Sequence, residues 1–241
     1  MKPFIKNISF TKIDTLIKKL LILSSCITLI ISIIFVSCSE LKTENNEEGI
    51  IEFDTKAVDE THPLYGLAPS SAVLKFKKEK FAIEMSTMGL FNTAIIGDIK
   101  NKKIAQTIKF MDIKQACIEN EKDIISDNLD FALKIEETEE TKDFLGFKAY
   151  KIKVTMANNP TITFDAWYTK DLGMKNCNAL NPYDKVKGVL LDYRIKKMGL
   201  EMHFVAKSIK NVVVPENTFE IPASMKIVSK EEMIKFFANL Q

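Results

Sequence analysis

The chain has 241 residues, with 34 basic and 32 acidic side chains, two histidines, eight glycines and one tryptophan. Arg194 is its sole arginine; recognition of nucleic acid leans on arginine forks and a basic surface, so a nucleic-acid partner is excluded. So few glycines also leave little backbone from which to build a phosphate cradle.

Five of the lysines and Asp14 fall in residues 1–37, so the remainder carries 29 basic against 31 acidic residues and the apparent basicity belongs to the amino-terminal segment. That segment has the order of a bacterial lipoprotein export signal: lysine-rich Met1 to Lys19, apolar Leu20 to Val36, then Phe35-Val36-Ser37-Cys38. A charged start stays on the cytoplasmic side and the apolar run enters the membrane. A small residue before cysteine then permits cleavage, leaving Cys38 as an acylated amino terminus. The alternative is an uncleaved anchor, since an apolar run of about 17 residues lies at the lower limit for crossing a bilayer. Both readings put the rest of the chain outside the cytoplasm, in the cell envelope, with the outer membrane expected and either face of it open. Residues 38–48 (Ser39-Glu40-Leu41-Lys42-Thr43-Glu44-Asn45-Asn46-Glu47-Glu48 after the cysteine) are polar and acidic without apolar periodicity, and predict a solvated tether.

From Gly49 onward the pattern has a period of two, and residues 49–241 read as one β-rich domain. Ala72, Leu74 and Phe76 alternate with Lys75 and Lys77, and Lys78-Glu79-Lys80 turns the chain into Phe81, Ile83 and Met85. The same alternation recurs in Ile104, Ile108 and Phe110, and in Phe131, Leu133 and Ile135. It is clearest in Tyr150, Ile152, Val154 and Met156. After a predicted turn at Asn158-Asn159-Pro160 come Ile162, Phe164, Ala166 and Tyr168, and a last hairpin joins Val189, Leu191, Tyr193 and Ile195 to Leu200, Met202, Phe204 and Ala206. About ten strands in series are expected, joined by short turns. Connections are predicted from His62-Pro63 to Pro69 and from Asp171 to Asp184. One helix stands out at the carboxyl end, opened by a Ser229/Glu232 capping box and continued by Met233, Phe236, Phe237 and Leu240. So much apolar strand surface with so little helix predicts a mainly β fold: a large antiparallel sheet curled into a half-barrel, with a C-terminal helix.

The order of signal and Cys38, the Gly49-Ile50-Ile51-Glu52-Phe53 strand, serial hairpins, Phe164-Asp165-Ala166-Trp167-Tyr168-Thr169, Gly188-Val189-Leu190-Leu191, and Phe219-Glu220-Ile221-Pro222 ahead of the terminal helix resembles a family of Bacteroidota lipoproteins with a LolA-like fold. The resemblance covers nearly all of the chain after Cys38. It implies an outer-membrane lipoprotein carrier or mycobacterial lipid-binding type of half-barrel, whose apolar concavity holds acyl chains.

Little in the sequence speaks for catalysis. His203 falls on the polar side of its strand with Glu201 and Lys207, and His62 precedes a proline in a loop. No Gly-x-Ser-x-Gly elbow or closely spaced Cys/His set occurs, so no enzyme, cofactor or metal is expected. Asp165, Asp192 and Glu84 are carboxylates that a fold could bring together. Cys117 and Cys177 lie in a compartment where a disulfide can persist; a disulfide and two free thiols stay open as alternatives. Nine methionines follow Met1, and thioether side chains adapt to irregular or ligand-filled space. The candidate cavity lining is Phe76, Phe81, Met85, Met156, Phe164, Met202 and Phe204. Two functions follow: an anchored module that binds a lipid or acylated ligand in an apolar concavity, or an anchored interaction protein with a solid core that holds a partner through exposed strands or Trp167. The partners expected are the membrane, through acylated Cys38, and lipid or lipoprotein acyl chains.

Overall fold

The structure, a computed structural model, describes residues 47–240 apart from Lys175 and Met198. The export signal, Cys38 and nearly all of the tether lie outside the described residues. Strands β1 (Glu48–Ala57), β2 (Ser71–Lys77), β3 (Lys80–Thr87), β4 (Phe91–Asp98), β5 (Lys103–Phe110) and β6 (Ile113–Glu119) lead into helix α1 (Glu121–Asp130). Strands β7 (Leu133–Phe144), β8 (Phe147–Met156), β9 (Asn159–Thr169), β10 (Val189–Lys197), β11 (Leu200–Lys210) and β12 (Lys226–Val228) follow, and helix α2 (Lys230–Ala238) closes the chain.

All twelve strands belong to one open sheet in the order β12-β6-β5-β4-β3-β2-β1-β11-β10-β9-β8-β7. The protein is therefore mainly β, with a large curled sheet and a C-terminal helix. Two meanders, β1–β6 and β7–β11, are joined edge to edge where β1 pairs with β11, Ile50 opposite Lys210 and Ala57 opposite Met202. Every pairing is antiparallel but one. Short β12 runs parallel to β6, with Ile227 opposite Ala116, because the long connection after β11 returns the chain to the far edge before α2 begins.

The period-two pattern is borne out on most strands. On β1, Ile51, Phe53 and Ala57 are buried while Asp54 and Lys56 face water; on β8, Ile152 and Val154 are buried and Lys153 is exposed. Phe164, Ala166 and Tyr168 of β9 are buried, but Ile162 is exposed. Three local boundaries differ from expectation. Asn159 and Pro160 open β9 instead of forming the preceding turn. Phe131 is wholly buried, yet as the residue that ends α1 and not as part of β7. Lys80 and Lys103 begin their strands, leaving tighter turns before them. The Leu145-Gly146 turn between β7 and β8 has positive φ at both residues (56° and 81°), the geometry that matches the twist of a two-residue hairpin.

The curl can be measured. Strands β6 and β10 stand seven places apart in the sheet, which would separate them by about 34 Å if the sheet were flat. Instead Lys197 at the end of β10 donates to Glu119 at the end of β6 at 2.8 Å. Because β6 and β7 are at opposite sides of the sheet, the chain between them must cross its interior, and α1 lies on that route.

Most of the core sits under β1 and β8–β11. The rings of Tyr193 and Phe204 stack at 5.1 Å, and Phe53 meets both edge-on at about 6 Å. Ile152, Val154, Ala166, Leu172 and Leu191 fill the spaces between them. Tyr183 is fully buried and donates its hydroxyl to the Arg194 carbonyl at 2.6 Å, so its polar atom is not left unsatisfied. A smaller cluster seats α2: Met233 is buried against Phe91, Ile108, Cys117 and Val228, ringed by Phe110, Phe236 and Phe237. The Ser229 side chain accepts from the Glu232 amide while Glu232 reaches back to the Ser229 amide, completing the predicted capping box.

Candidate functional site

Beneath α1 the interior is not filled. A cavity of about 160 Å³ lies between the concave face of β3–β5, the β10–β11 hairpin and the helix. Its walls are mostly apolar, with Phe81, Ile83 and Met85 from β3, Ile95 from β4, and Ile195, Met202 and Phe204 from the hairpin. Leu64 and Pro69 from the β1–β2 connection, Leu180 and Pro182 from the β9–β10 connection and Phe237 of α2 complete them. Polar groups at the cavity are Thr93, Gln106, Asp127, Asn128, Asn181, Tyr193, Lys196 and Lys197. A second cleft, of about 400 Å³, shares Asn128, Leu180, Asn181 and Pro182 with the cavity and continues along Ile124, Ile125, Leu129 and Leu133.

The hollow has a local cause. Helix α1 is begun by a capping box in which Asn120 accepts from the amides of Lys122 and Asp123 and Asp123 accepts from the Asn120 amide. It offers the core one buried residue, Ile124, while Ile125 and Leu129 face outward. With so thin an apolar stripe, the helix is held mainly by charge. Lys197 donates to both oxygens of Glu119 (2.8 and 3.1 Å) and to Asp127 of α1 (2.6 Å), and Lys230 of α2 donates to the other Asp127 oxygen at 2.5 Å. Glu119 is fully buried, and Lys197 stands directly against its carboxyl group. Burial is the largest single influence on Asp127 and pushes its pKa up, but the hydrogen bonds and charges of Lys197 and Lys230 outweigh it and hold the carboxyl below its ordinary range. This network spans β6, β10, α1 and α2 and clamps the helix over the cavity at a stand-off.

Of the seven residues expected to line a cavity, Phe81, Met85, Met202 and Phe204 do so. Phe76 is buried in the solid part of the core, and Phe164 is buried beneath the Arg194 guanidinium at 4.8 Å. Met156 ends β8 beside Leu133, away from the cavity walls. Sequence reading did not single out Gln106, Glu119, Asp127 or Lys197. Gln106 is 3% exposed on the inner face of β5, opposite Ile95 and Cys117, and its Oε1 has no hydrogen-bond partner among the described residues. A glutamine among Ile104, Ile108 and Phe110 at the inward phase of its strand was the one available signal.

The other candidates stand apart. Cys117 and Cys177 are both free thiols; Cys117 packs under α2, while Cys177 donates to the Gly188 carbonyl at 3.1 Å. Burial pushes the Cys177 thiol up to about 12 and raises that of Cys117 as well, so both stay protonated at neutral pH. Asp192, Asp165 and Glu84 do not converge. Asp192 meets His203 Nε2 at 2.7 Å, Asp165 pairs with Lys151 at 2.9 Å and Glu84 with Lys75 at 2.7 Å. His203 lies opposite Lys56 and Arg194 on the outer face, and His62 accepts from the Leu64 amide within its own loop. Trp167 is half-buried, with the Lys142 ammonium 3.9 Å above its ring. Among the described residues there is no group of three or more His, Cys, Asp or Glu side chains placed to hold a metal, and no helix is long and apolar enough to cross a membrane.

Fold and site thus define a mainly β domain with an open, curled sheet and an apolar cavity bordered by an ionically held helix. No protein-family model and no curated protein matches the chain. It is similar to two solved structures, of PNGF-II in the C2 space group (17% identity, TM-score 0.48) and in the P21 space group (15% identity, TM-score 0.49). In each case 78% of this chain is covered, and the chain spans 33% of the length of PNGF-II. Likeness at that level carries no functional inference.

Proposed function

We propose that the domain binds an acyl chain or similarly slender apolar group in the cavity beneath α1, without catalysis, on a lipoprotein held in the bacterial cell envelope through acylated Cys38. The observation that carries this reading is the unfilled apolar space at the one place where the curled sheet faces a helix with little apolar surface of its own. Protein interiors are otherwise close-packed, and an apolar cavity of about 150 Å³ is large enough to take up a six-carbon ring. The space therefore suits one end of a chain. The adjoining cleft along Ile124, Leu129 and Leu133 offers apolar wall for the remainder. A LolA-like, outer-membrane carrier relationship fits this arrangement and stays part of the proposal, as does the absence of a resident cofactor.

The second reading, an anchored interaction module, is favoured by a different observation. The cavity alone is about half the smallest volume usual for a drug-sized ligand, roughly 300 Å³, and Met88, Leu90 and Met111 project from neighbouring hairpin ends, Met88 with 94% of its surface exposed. Native mass spectrometry and lipid extraction of the full chain released from membranes, with uptake of a fluorescent fatty acid, separates the two. Co-purifying acyl lipid and saturable uptake are expected; a protein that carries no lipid and takes up none belongs to the second class. For the anchor, Cys38→Ala is expected to leave uncut precursor, whereas normal processing and membrane retention of that variant would remove the lipidation reading.

A further inference from the structure

From the buried, unpartnered carbonyl of Gln106 we infer that the ligand of this cavity is not a plain hydrocarbon but an apolar molecule bearing a hydroxyl or equivalent hydrogen-bond donor, which Gln106 accepts. This rests on the reading of the cavity as a ligand site and names the chemistry of its occupant. The residue is 97% removed from solvent, on the inner face of β5, and lines the cavity together with Ile95, Ile104 and Phe81. Its Oε1 makes no hydrogen bond among the described residues. Four of the neighbouring polar groups are committed elsewhere. Thr93 Oγ1 donates to the Thr107 carbonyl at 2.8 Å, Asn181 donates to Asn178 and accepts from the Tyr183 amide, and Lys197 and Asp127 hold each other.

An acceptor left bare in an apolar enclosure is destabilising, and such atoms are rare in folded proteins. A leucine or methionine at position 106 would fill the same space without that penalty. A glutamine there is physically sensible if something donates to it when the cavity is occupied. A water in that role would need two to four polar partners, and Thr93, Asn181, Lys197 and Asp127 are already bonded to protein groups. A ligand hydroxyl brings its donor and its own apolar body together.

The test uses benzene and phenol, which match the cavity in size and differ by one hydroxyl. Their affinities for the full chain held in amphipol are measured by calorimetry, in the wild type and in Gln106→Leu. Leucine is expected to weaken phenol about tenfold while leaving benzene unchanged or tighter, so the phenol-to-benzene ratio of dissociation constants rises about tenfold. The apo melting temperature should hold or rise. Should Gln106→Leu not fold, Gln106→Met, which keeps the length of the side chain, gives the same ratio. An unchanged ratio overturns the inference and leaves the apolar site standing, as would be found if water satisfied Gln106. Failure of both molecules to bind the wild type removes the ligand site itself.

Discussion

Two regions of the sheet bury their inner faces in different ways. Beneath β8 and β9 the side chains interlock: Ile152, Val154 and Ala166, packed with Leu191 of β10, leave no opening to solvent. Beneath β3–β5 the same kind of alternating apolar strand meets a helix with one buried side chain, and a hollow remains. Strand patterning alone thus does not decide between a solid core and a cavity. What decides is the element on the other side, and here that element is fixed by ion pairs at its end.

The sharpest way to break this contrast is to place a charge in the solid half. Ile152→Lys is expected to prevent folding, a loss of more than about 4 kcal/mol, since it would bury an ammonium within the apolar cluster that holds Ile152. Lys153→Ile, one residue along and exposed, should shift the melting temperature little. Similar melting curves for the two variants would mean that the inner and outer faces of β8 are misassigned.

A smaller loss is expected at the clamp. Lys197→Met leaves Glu119 fully buried and without its cation, at a cost of about 2–4 kcal/mol, the lysine being partly exposed. Acid should have a related but weaker effect. The folded pKa of Asp127 lies below its unfolded value, so the ionised carboxylate adds stability at pH values above the ordinary carboxylate range, and that contribution is lost as pH falls through the folded value. Denaturation midpoints should decline below about pH 4, less steeply in Asp127→Asn. Equal slopes for wild type and variant would remove the clamp as a source of acid sensitivity.

The finest test applies one kind of change to both halves. Ala166→Leu in the solid half should overpack and cost about 1–3 kcal/mol, whereas Met202→Trp in the wall of the hollow should cost less than about 1 kcal/mol and abolish uptake of a fluorescent fatty acid. Equal destabilisation by thermal melts would show that the hollow is as tightly filled as the rest.

Hairpins with one wet face could be read directly because inward and outward residues differ in kind, as on β1, β8 and β9. Strands β4 and β6 escaped notice for the opposite reason. In β4 the residues Asn92 to Ile96 are all half-buried or buried, with no polar outer register, and β6 carries Gln115 and Glu119 on its inner side. Helix α1 was harder to see because it is short and polar on average, with Ile124, Ile125 and Leu129 as its apolar residues; Asn120 and Asp123 were its capping signal. The cavity lining was legible to the extent that Phe81, Met85, Met202 and Phe204 could be named. Phe76, Phe164 and Met156 share their face but not their place, since which part of a face is left uncovered depends on the route of α1 across the sheet. Gln106 and the ionic clamp join strands distant in sequence, and no local pattern encodes such meetings.

The seam between β1 and β11 has a kinetic meaning. Each meander is built from neighbouring hairpins and can zip up by itself, but the ladder that unites them pairs residues as far apart as Ile50 and Lys210. Closing so long a loop is entropically slow, and pairings of high sequence separation retard folding. A chain emerging amino end first therefore has a first strand with one partner beside it and the other unmade until nearly the whole length has arrived, so β1 waits with one edge open, ready to be engaged by whatever reaches it before β11.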